Sequence, residues 1–372
     1  MLRLNGGKCD IFASLAAPTT SHSLSYLKNC SVQTPIIRSH SLPYIRNCSV
    51  QTPIIRSAQL PLPGRDARHV QQRLFSKGSL SSQRSSRNGV KYTGTFRKHA
   101  IYASQNVREA IYTHLGSNSW KIELPASGLT VLTDPWLIDN LTFFDQDWLY
   151  EGIKRKDVGD VGLAFADGCD AILITQGLDD HAHRPTLKRL PKHLWIIASP
   201  TGAEVTRDLG FTNVTSLAPG CGTTLDGKLD IQATSGALVG PPWSQRENGF
   251  ILRERSVDGI SLYYEPHCSF DYRSLEQQEP VDLVISPAAS VSLGAFPLVN
   301  GVEETVKLLN LLQPQVMMPL PNAEIEEDGV LAPWISSSGT PEATQQALNR
   351  ANISTTVRDI PQTGQGQRIQ FS

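Results

Sequence analysis

From about Ala100 onward the chain is written in short runs of apolar residues separated by turn signals. Trp120–Leu124 alternates apolar and polar side chains, as a half-buried strand does. Leu129–Leu132, Cys169–Ile174, Leu194–Ala198, Val281–Ser286 and Val316–Leu320 are brief, mostly apolar runs of strand length. Between Val214 and Ser235 the turn pairs Pro219-Gly220 and Asp226-Gly227 predict several short strands. Phe250–Arg253 and Ile260–Tyr264 read as two more, joined through Asp258-Gly259. Helical spacing is rarer. His183–Leu190 predicts a short helix that tolerates Pro185 in its first turn, and Ala203–Leu209 one that Gly210 can end. Val302–Leu312 is amphipathic and stops before Pro314, and Pro341–Ala351 begins on a proline. Strands thus come in runs with helices inserted between them. That order predicts an α+β fold of two mixed sheets with outer helices rather than a strictly alternating parallel sheet.

Composition divides the chain. Residues 1–100 hold 15 Lys/Arg against only Asp10 and Asp66, a net of +13, so the overall −1 leaves −14 for residues 101–372. The basic part contains no Glu and is rich in Ser. It also repeats itself: SHSLSYLKNCSVQTPIIR at 21–38 is followed by SHSLPYIRNCSVQTPIIR at 39–56. Two near-identical copies point to a tandem duplication in a segment where insertion costs little. An Arg- and Ser-rich, acid-poor start has the character of an organelle transit peptide. A disordered basic leader over 1–100, addressed to the chloroplast or alternatively the mitochondrion, is therefore expected, followed by one domain over 101–372. No apolar run reaches the roughly 18–20 residues of a membrane helix. The cysteines are widely spaced, without a Cys-x-x-Cys pair, and do not point to a disulfide framework.

The chemistry concentrates in Ile172–His183, which reads Ile-Leu-Ile-Thr-Gln-Gly-Leu-Asp-Asp-His-Ala-His. A strand ending in such a turn brings metal-ligating or acid/base side chains to a sheet edge. Local roles are also open to these residues. Asp179 can cap the helix that follows, Asp134 can close a turn before Pro135, and His183 is expected to point outward beside the helix start. Glycine-rich nucleotide loops and a Gly-x-Ser-x-Gly elbow are absent from the sequence. The acidic body argues against a nucleic-acid partner held by charge.

The segment resembles the metallo-β-lactamase superfamily, whose signature is Thr-His-x-His-x-Asp-His after an apolar strand. Thr175, Asp180 and His181 match in register, while Gln176 and Leu178 stand at the two leading histidines. Leu132-Thr133-Asp134-Pro135-Trp136-Leu137 is similar to the Asp-Pro-Trp element of a branch that holds ascorbate-6-phosphate lactonase-like and N-acylphosphatidylethanolamine phospholipase-like proteins, including plastid-targeted members. The resemblance implies an αββα sandwich and places Asp134 beneath the metals, orienting a ligand. It also implies that three further ligand positions are altered. Leu238 falls at or near the later histidine, His267 in Tyr264-Glu265-Pro266-His267 takes the bridging aspartate's place, and Pro321 replaces the last histidine.

What survives is a set of Asp180, His181 and His267 with room for one divalent metal (zinc, manganese or iron) or none. Asp179 is the expected general base or a supporting group. Asp134, Gln176, His183 and Glu265 are expected to support the ligands or face a substrate. Asn322 and Glu324 lie beside the lost last ligand. The leading functional expectation is an organelle-targeted hydrolase of an ester, lactone or phosphodiester in a small-molecule substrate. The alternative is a metal-free binding or scaffold member with an unknown protein partner, and a mononuclear-iron oxidoreductase is a minor third.

Overall fold

The computed structural model describes residues 107–238 and 245–372. The leader over 1–100, its duplicated segment and its targeting role lie outside the described residues. Among the described residues, twenty strands and five α-helices follow one another, with two 3-10 helices at Gly159–Ala166 and Ala332–Trp334. β1 (Arg108–His114), β2 (Trp120–Leu124) and β3 (Leu129–Thr133) come first, then the short β4 (Leu141–Thr142) and β5 (Glu151–Lys154). β6 (Ala171–Ile174), α1 (Arg184–Arg189), β7 (Trp195–Ala198), α2 (Pro200–Asp208) and β8 (Asn213–Ser216) form the next stretch. β9 (Gly222–Leu225), β10 (Leu229–Ser235), β11 (Asn248–Glu254), β12 (Ser261–Tyr264), α3 (Tyr272–Leu275) and β13 (Leu283–Pro287) follow. The chain closes with β14 (Ser290–Leu293), β15 (Phe296–Val299), α4 (Val302–Leu312), β16 (Val316–Leu320), β17 (Ile325–Asp328), β18 (Ile335–Ser338), α5 (Pro341–Arg350), β19 (Thr356–Val357) and β20 (Gly366–Phe371).

Two seven-stranded sheets carry the architecture, ordered β20-β1-β2-β3-β6-β7-β8 and β19-β16-β13-β12-β11-β10-β9. Both are mixed: β3, β6, β7 and β8 run parallel to one another, as do β12, β13, β16 and β19, and the remaining pairings are antiparallel. The period of two along each strand sorts side chains between layers. In β6, Ala171 and Leu173 enter the core between the sheets, whereas Ile172 and Ile174 face the outer cluster that holds Leu187 of α1 and Ala203 of α2. In β12, Leu262 and Tyr264 face inward and Tyr263 outward, against the cluster containing Leu308 and Leu348 of α4 and α5. The outcome is the two mixed sheets with outer helices expected from the element order, in the αββα arrangement that the resemblance implies.

α4 shows why the helices sit outside. Thr305, Leu308, Leu309 and Leu312 are buried at i, i+3, i+4 and i+7, one stripe facing one sheet. Each such leucine contributes roughly 1.5–3 kcal/mol by leaving water. The helix ends where Gln313 turns left-handed at φ 47°, ahead of Pro314. α2 starts earlier than periodicity predicts, at Pro200, because the Ser199 hydroxyl accepts from Gly202 N and Pro200 takes the first helical position. The pairing of β1 with β20 was not predicted. It joins opposite ends of the domain, and β20 is short and mostly polar, with Ile369 and Phe371 its two buried side chains. Two smaller three-stranded sheets, β17-β5-β4 and β15-β14-β18, were also not predicted. Among the described residues no helix is long and apolar enough to cross a membrane.

Candidate metal centre

The turns after β3, β6 and β12 meet at one end of the sandwich. Leaving β3, the chain turns left-handed at Asp134 (φ 43°), which an aspartate tolerates better than most residues. Its carboxylate is fully buried and accepts four hydrogen bonds. Oδ1 takes Thr175 N at 2.8 Å, and Oδ2 takes Thr175 Oγ1 at 2.7 Å, Tyr264 Oη at 2.8 Å and His181 Nδ1 at 2.9 Å. The surrounding turn is fixed by Ser119, whose hydroxyl donates to Asp134 O and accepts from Trp136 N. With Nδ1–H on Asp134, His181 presents Nε2 to the open side of the turn, where Asp180 Oδ2 lies 3.0 Å away. Asn118 Nδ2 is 3.4 Å from the same nitrogen.

His267 approaches from the second sheet. Its ring centroid lies 5.1 Å from that of His181. Asp180, His181 and His267 each offer one ligand atom within 4.8 Å of the others. The buried Glu265 braces the His267 loop by accepting from His267 N at 3.2 Å and Ser269 N at 2.7 Å. Its other oxygen, unbonded, sits 3.8 Å from His267 Nδ1. Gln176 Nε2 stands 3.4 Å from His267 Nε2.

Electrostatics follow from this crowding. Burial alone would lower the His181 pKa, but the Asp180 and Asp134 carboxylates on its two sides outweigh it and raise the value to about 10. Burial pushes Asp180 up, and the imidazoles of His181 and His267 more than reverse that, holding its carboxyl below the usual range. The donors present suit a divalent ion. Asp180 Oδ1 and Gln176 Oε1 are buried without a hydrogen-bond partner, a costly condition that coordination or a bound ligand would relieve. One carboxylate with two imidazoles is a donor set taken by zinc, manganese or iron.

Other expected residues are placed elsewhere. His183 does not point outward. It is buried and caps α1, with Nδ1 2.9 Å from Thr186 Oγ1 and its ring against Trp136. Burial, the largest influence, lowers its pKa to about 4. Asp179 neither caps that helix nor joins the cluster; it is engaged by Arg184, the first residue of α1, which leaves it an anchor rather than a free base. Asn322 donates through Nδ2 to Ala289 O at 3.0 Å, with its Oδ1 buried and unbonded, and Glu324 pairs with Lys156 at 3.1 Å, outside the group of Asp180, His181 and His267. Leu178 and Leu238, each 39% exposed, present hydrocarbon where the resembled pattern has histidines.

Three residues escaped the sequence reading. Tyr264 lay in a recognised phrase, yet only the meeting of the sheets shows its hydroxyl on Asp134. Asn118 is 63 positions from His181 and carries no motif. Glu247, with Oε2 taking the Thr201 hydroxyl at 2.8 Å, is close enough to interact electrostatically with both His181 and His267. Burial raises its pKa, against the pull of those partners.

Residues 112–321, more than half the chain, match the family described as "Beta-lactamase superfamily domain". No curated protein sequence matches the chain. Solved structures share the fold. The isothiocyanate hydrolase from Delia radicum gut bacteria is 17% identical at a TM-score of 0.51, covering 70% of this chain and 99% of its own. CmlA, a diiron beta-hydroxylase from Streptomyces venezuelae, is 15% identical at 0.50, covering 71% of this chain and 54% of its own. Igni18, a metallo hydrolase from Ignicoccus hospitalis KIN4/I, is 18% identical at 0.48, covering 71% and 100%.

Proposed function

The chain belongs to the beta-lactamase superfamily, and from that premise we propose that it is a metal-dependent hydrolase of an ester, lactone or phosphodiester, working with one divalent ion. The observation that carries the reading is the meeting of Asp180, His181 and His267, with ligand atoms within 4.8 Å of one another. Asp180 supplies an anionic oxygen, His181 its Nε2 and His267 a second imidazole. Bound there, the ion would polarise the scissile carbonyl or phosphoryl group and ease deprotonation of water.

The chain's own residues do the rest. Asp134 holds the Nδ1–H tautomer of His181 and its ring plane, the usual task of a carboxylate behind a metal-binding histidine. Thr175 and Tyr264 keep Asp134 itself from turning. Glu265 faces Nδ1 of His267 in the corresponding position. The Gln176 side chain, with an unbonded oxygen, offers a polar contact to a substrate. Glu247, its proton affinity raised by burial, is the candidate to carry a proton. Asp179, tied to Arg184, is a weaker candidate for that role.

Metal content per chain after gentle purification tests the reading. Wild type should retain close to one zinc, manganese or iron, and His267→Ala should lose it while melting nearly as wild type does. His183→Ala should keep the metal. Two ions in wild type, or unchanged content in His267→Ala, would overturn the ligand assignment; no ion in any of them would favour the metal-free alternative. The proposal extends to location. The acid-poor leader with its net +13 supports delivery to a plastid, and a leader–reporter fusion that stays in the cytosol would refute it.

A further inference from the structure

Three surface segments, 141–149, 290–300 and 325–338, share an unusual composition. They display Phe144, Trp148, Phe296, Leu298, Val330 and Trp334, each between 41% and 68% exposed. Scattered exposed hydrophobics are ordinary, but two tryptophans and two phenylalanines on linked elements are not. The linkage is explicit. Val330 N donates to Trp148 O at 3.1 Å, Gly294 N donates to Trp334 O at 2.7 Å, and Leu293 of β14 faces Ile335 of β18. The face is not exposed because its elements failed to find a core. Leu141, Tyr150 and Trp136 are buried beneath it, with Phe143, Ile325, Leu331 and Ile335 packed against them. One apolar face of these small sheets is satisfied, and a second is left over.

Charge on the same segments has one sign. Asp145, Asp147, Glu326 and Asp328 are exposed there, Glu327 is half-buried, and none of the three segments contains a Lys or Arg; the neighbouring cations Arg155 and Lys156 follow β5, Lys156 pairs with Glu324, and acids outnumber bases. We propose that this face docks a cationic, apolar segment of a partner protein. Such a segment buries the aromatic side chains and neutralises the four carboxylates in one act. A bilayer fits less well, because an anionic leaflet repels a face on which carboxylates outnumber the neighbouring Arg155 and Lys156. A second copy of the chain fits less well too, since a two-fold contact would set these carboxylates against themselves. The surface adjoins the His267 loop, where Asn300 N donates to His267 O at 2.8 Å. The inference does not depend on a metal being bound.

The test uses the full chain and a synthetic peptide in which lysines and leucines form the two faces of a helix, with an all-lysine peptide of equal charge as control. Binding is followed by calorimetry and by tryptophan emission. The amphipathic peptide should bind, and Trp148→Ala/Trp334→Ala should weaken it about tenfold or more, as loss of aromatic anchors does. Asp145→Asn/Asp147→Asn should flatten the salt dependence. All four positions are exposed, so an unchanged melting temperature shows that the fold survives. Equal affinity for wild type and the double tryptophan variant would overturn the proposal. So would tighter binding to phosphatidylcholine/phosphatidylserine vesicles than to the peptide, or a self-association that the tryptophan substitutions abolish.

Discussion

The two halves of the candidate metal centre are built to different tolerances. On the first sheet, Asp134 and His181 are both wholly buried, and the Asp134 carboxylate is saturated by four donors. The 2.9 Å bond to Asp134 holds the Nδ1 side of the His181 ring in place. On the second sheet, Glu265 and His267 repeat the carboxylate–imidazole theme loosely, at 3.8 Å. There the backbone is the rigid part. Glu265 accepts two main-chain N–H groups, and Cys268 turns left-handed at φ 48°, a conformation uncommon for a residue other than glycine, asparagine or aspartate. The loop is fixed while the His267 ring lacks a tight side-chain partner. One half arrives ordered; the other offers a donor that an ion or ligand would bring into line. Organising a site this way places the cost of ordering in folding on one side and in binding on the other.

The sharpest way to break this comparison is to remove each carboxylate. Asp134→Ala takes from Thr175 N, Thr175 Oγ1, Tyr264 Oη and His181 Nδ1 the buried carboxylate they share, and leaves Thr175 N without its acceptor. Loss of one member of a buried charged network costs about 3–5 kcal/mol. Urea unfolding should show a deficit of that size, with metal retention lost as well. Glu265→Gln keeps an acceptor for His267 N and Ser269 N and gives up only the loose contact at 3.8 Å. It should cost under about 1 kcal/mol, since both main-chain hydrogen bonds survive. Equal deficits in the two variants would show that the halves are held alike and the asymmetry is an illusion of distance.

The same asymmetry explains what could be read from sequence. The β6 run and its Asp180-His181 turn are local, so pattern and spacing reach them. The order of strands and helices gave the layers because each of these elements buries one face or stripe against a neighbour. Helix α4 matched its periodicity end to end, and α1 lost only its terminal residues to caps. His267 was reachable only through register within a resembled phrase. The contacts that make the site work cross long intervals: 130 positions separate Tyr264 from Asp134, and 91 separate His267 from Gln176. No periodicity carries such information. His183 misled for the opposite reason. A histidine beside two ligands invites a chemical role, but a helix start needs an acceptor more urgently, and its imidazole supplies one to Thr186 N. The small sheets escaped because their exposed apolar residues obey no inward–outward alternation.

A smaller effect, and one that sharpens the view of the first half, comes from pH. His114 ends β1 and is buried, with Nε2 accepting from Gly116 N at 3.0 Å. That bond needs the neutral ring, and it pins the turn that carries Asn118 to within 3.4 Å of His181. Burial lowers the His114 pKa to about 3, with Lys154 and Lys156 adding to the effect. In the unfolded chain the ring titrates near the ordinary value of about 6.5. Between those two values the unfolded chain takes up a proton that the folded chain refuses, so stability falls as pH drops from about 6.5 toward 3. At about 1.4 kcal/mol per pH unit below 6.5, the group should remove about 2 kcal/mol by pH 5. Carboxylates add their own acid dependence, so the comparison must be differential. Urea unfolding of wild type and His114→Asn at pH 7 and pH 5 isolates the term. The variant is less stable at neutral pH, having lost the ring that fits the turn, but its further loss on acidification should be smaller by about 2 kcal/mol. Parallel losses in the two proteins would mean that His114 is free to charge in place, and that the first half is less tightly closed than its hydrogen bonds imply.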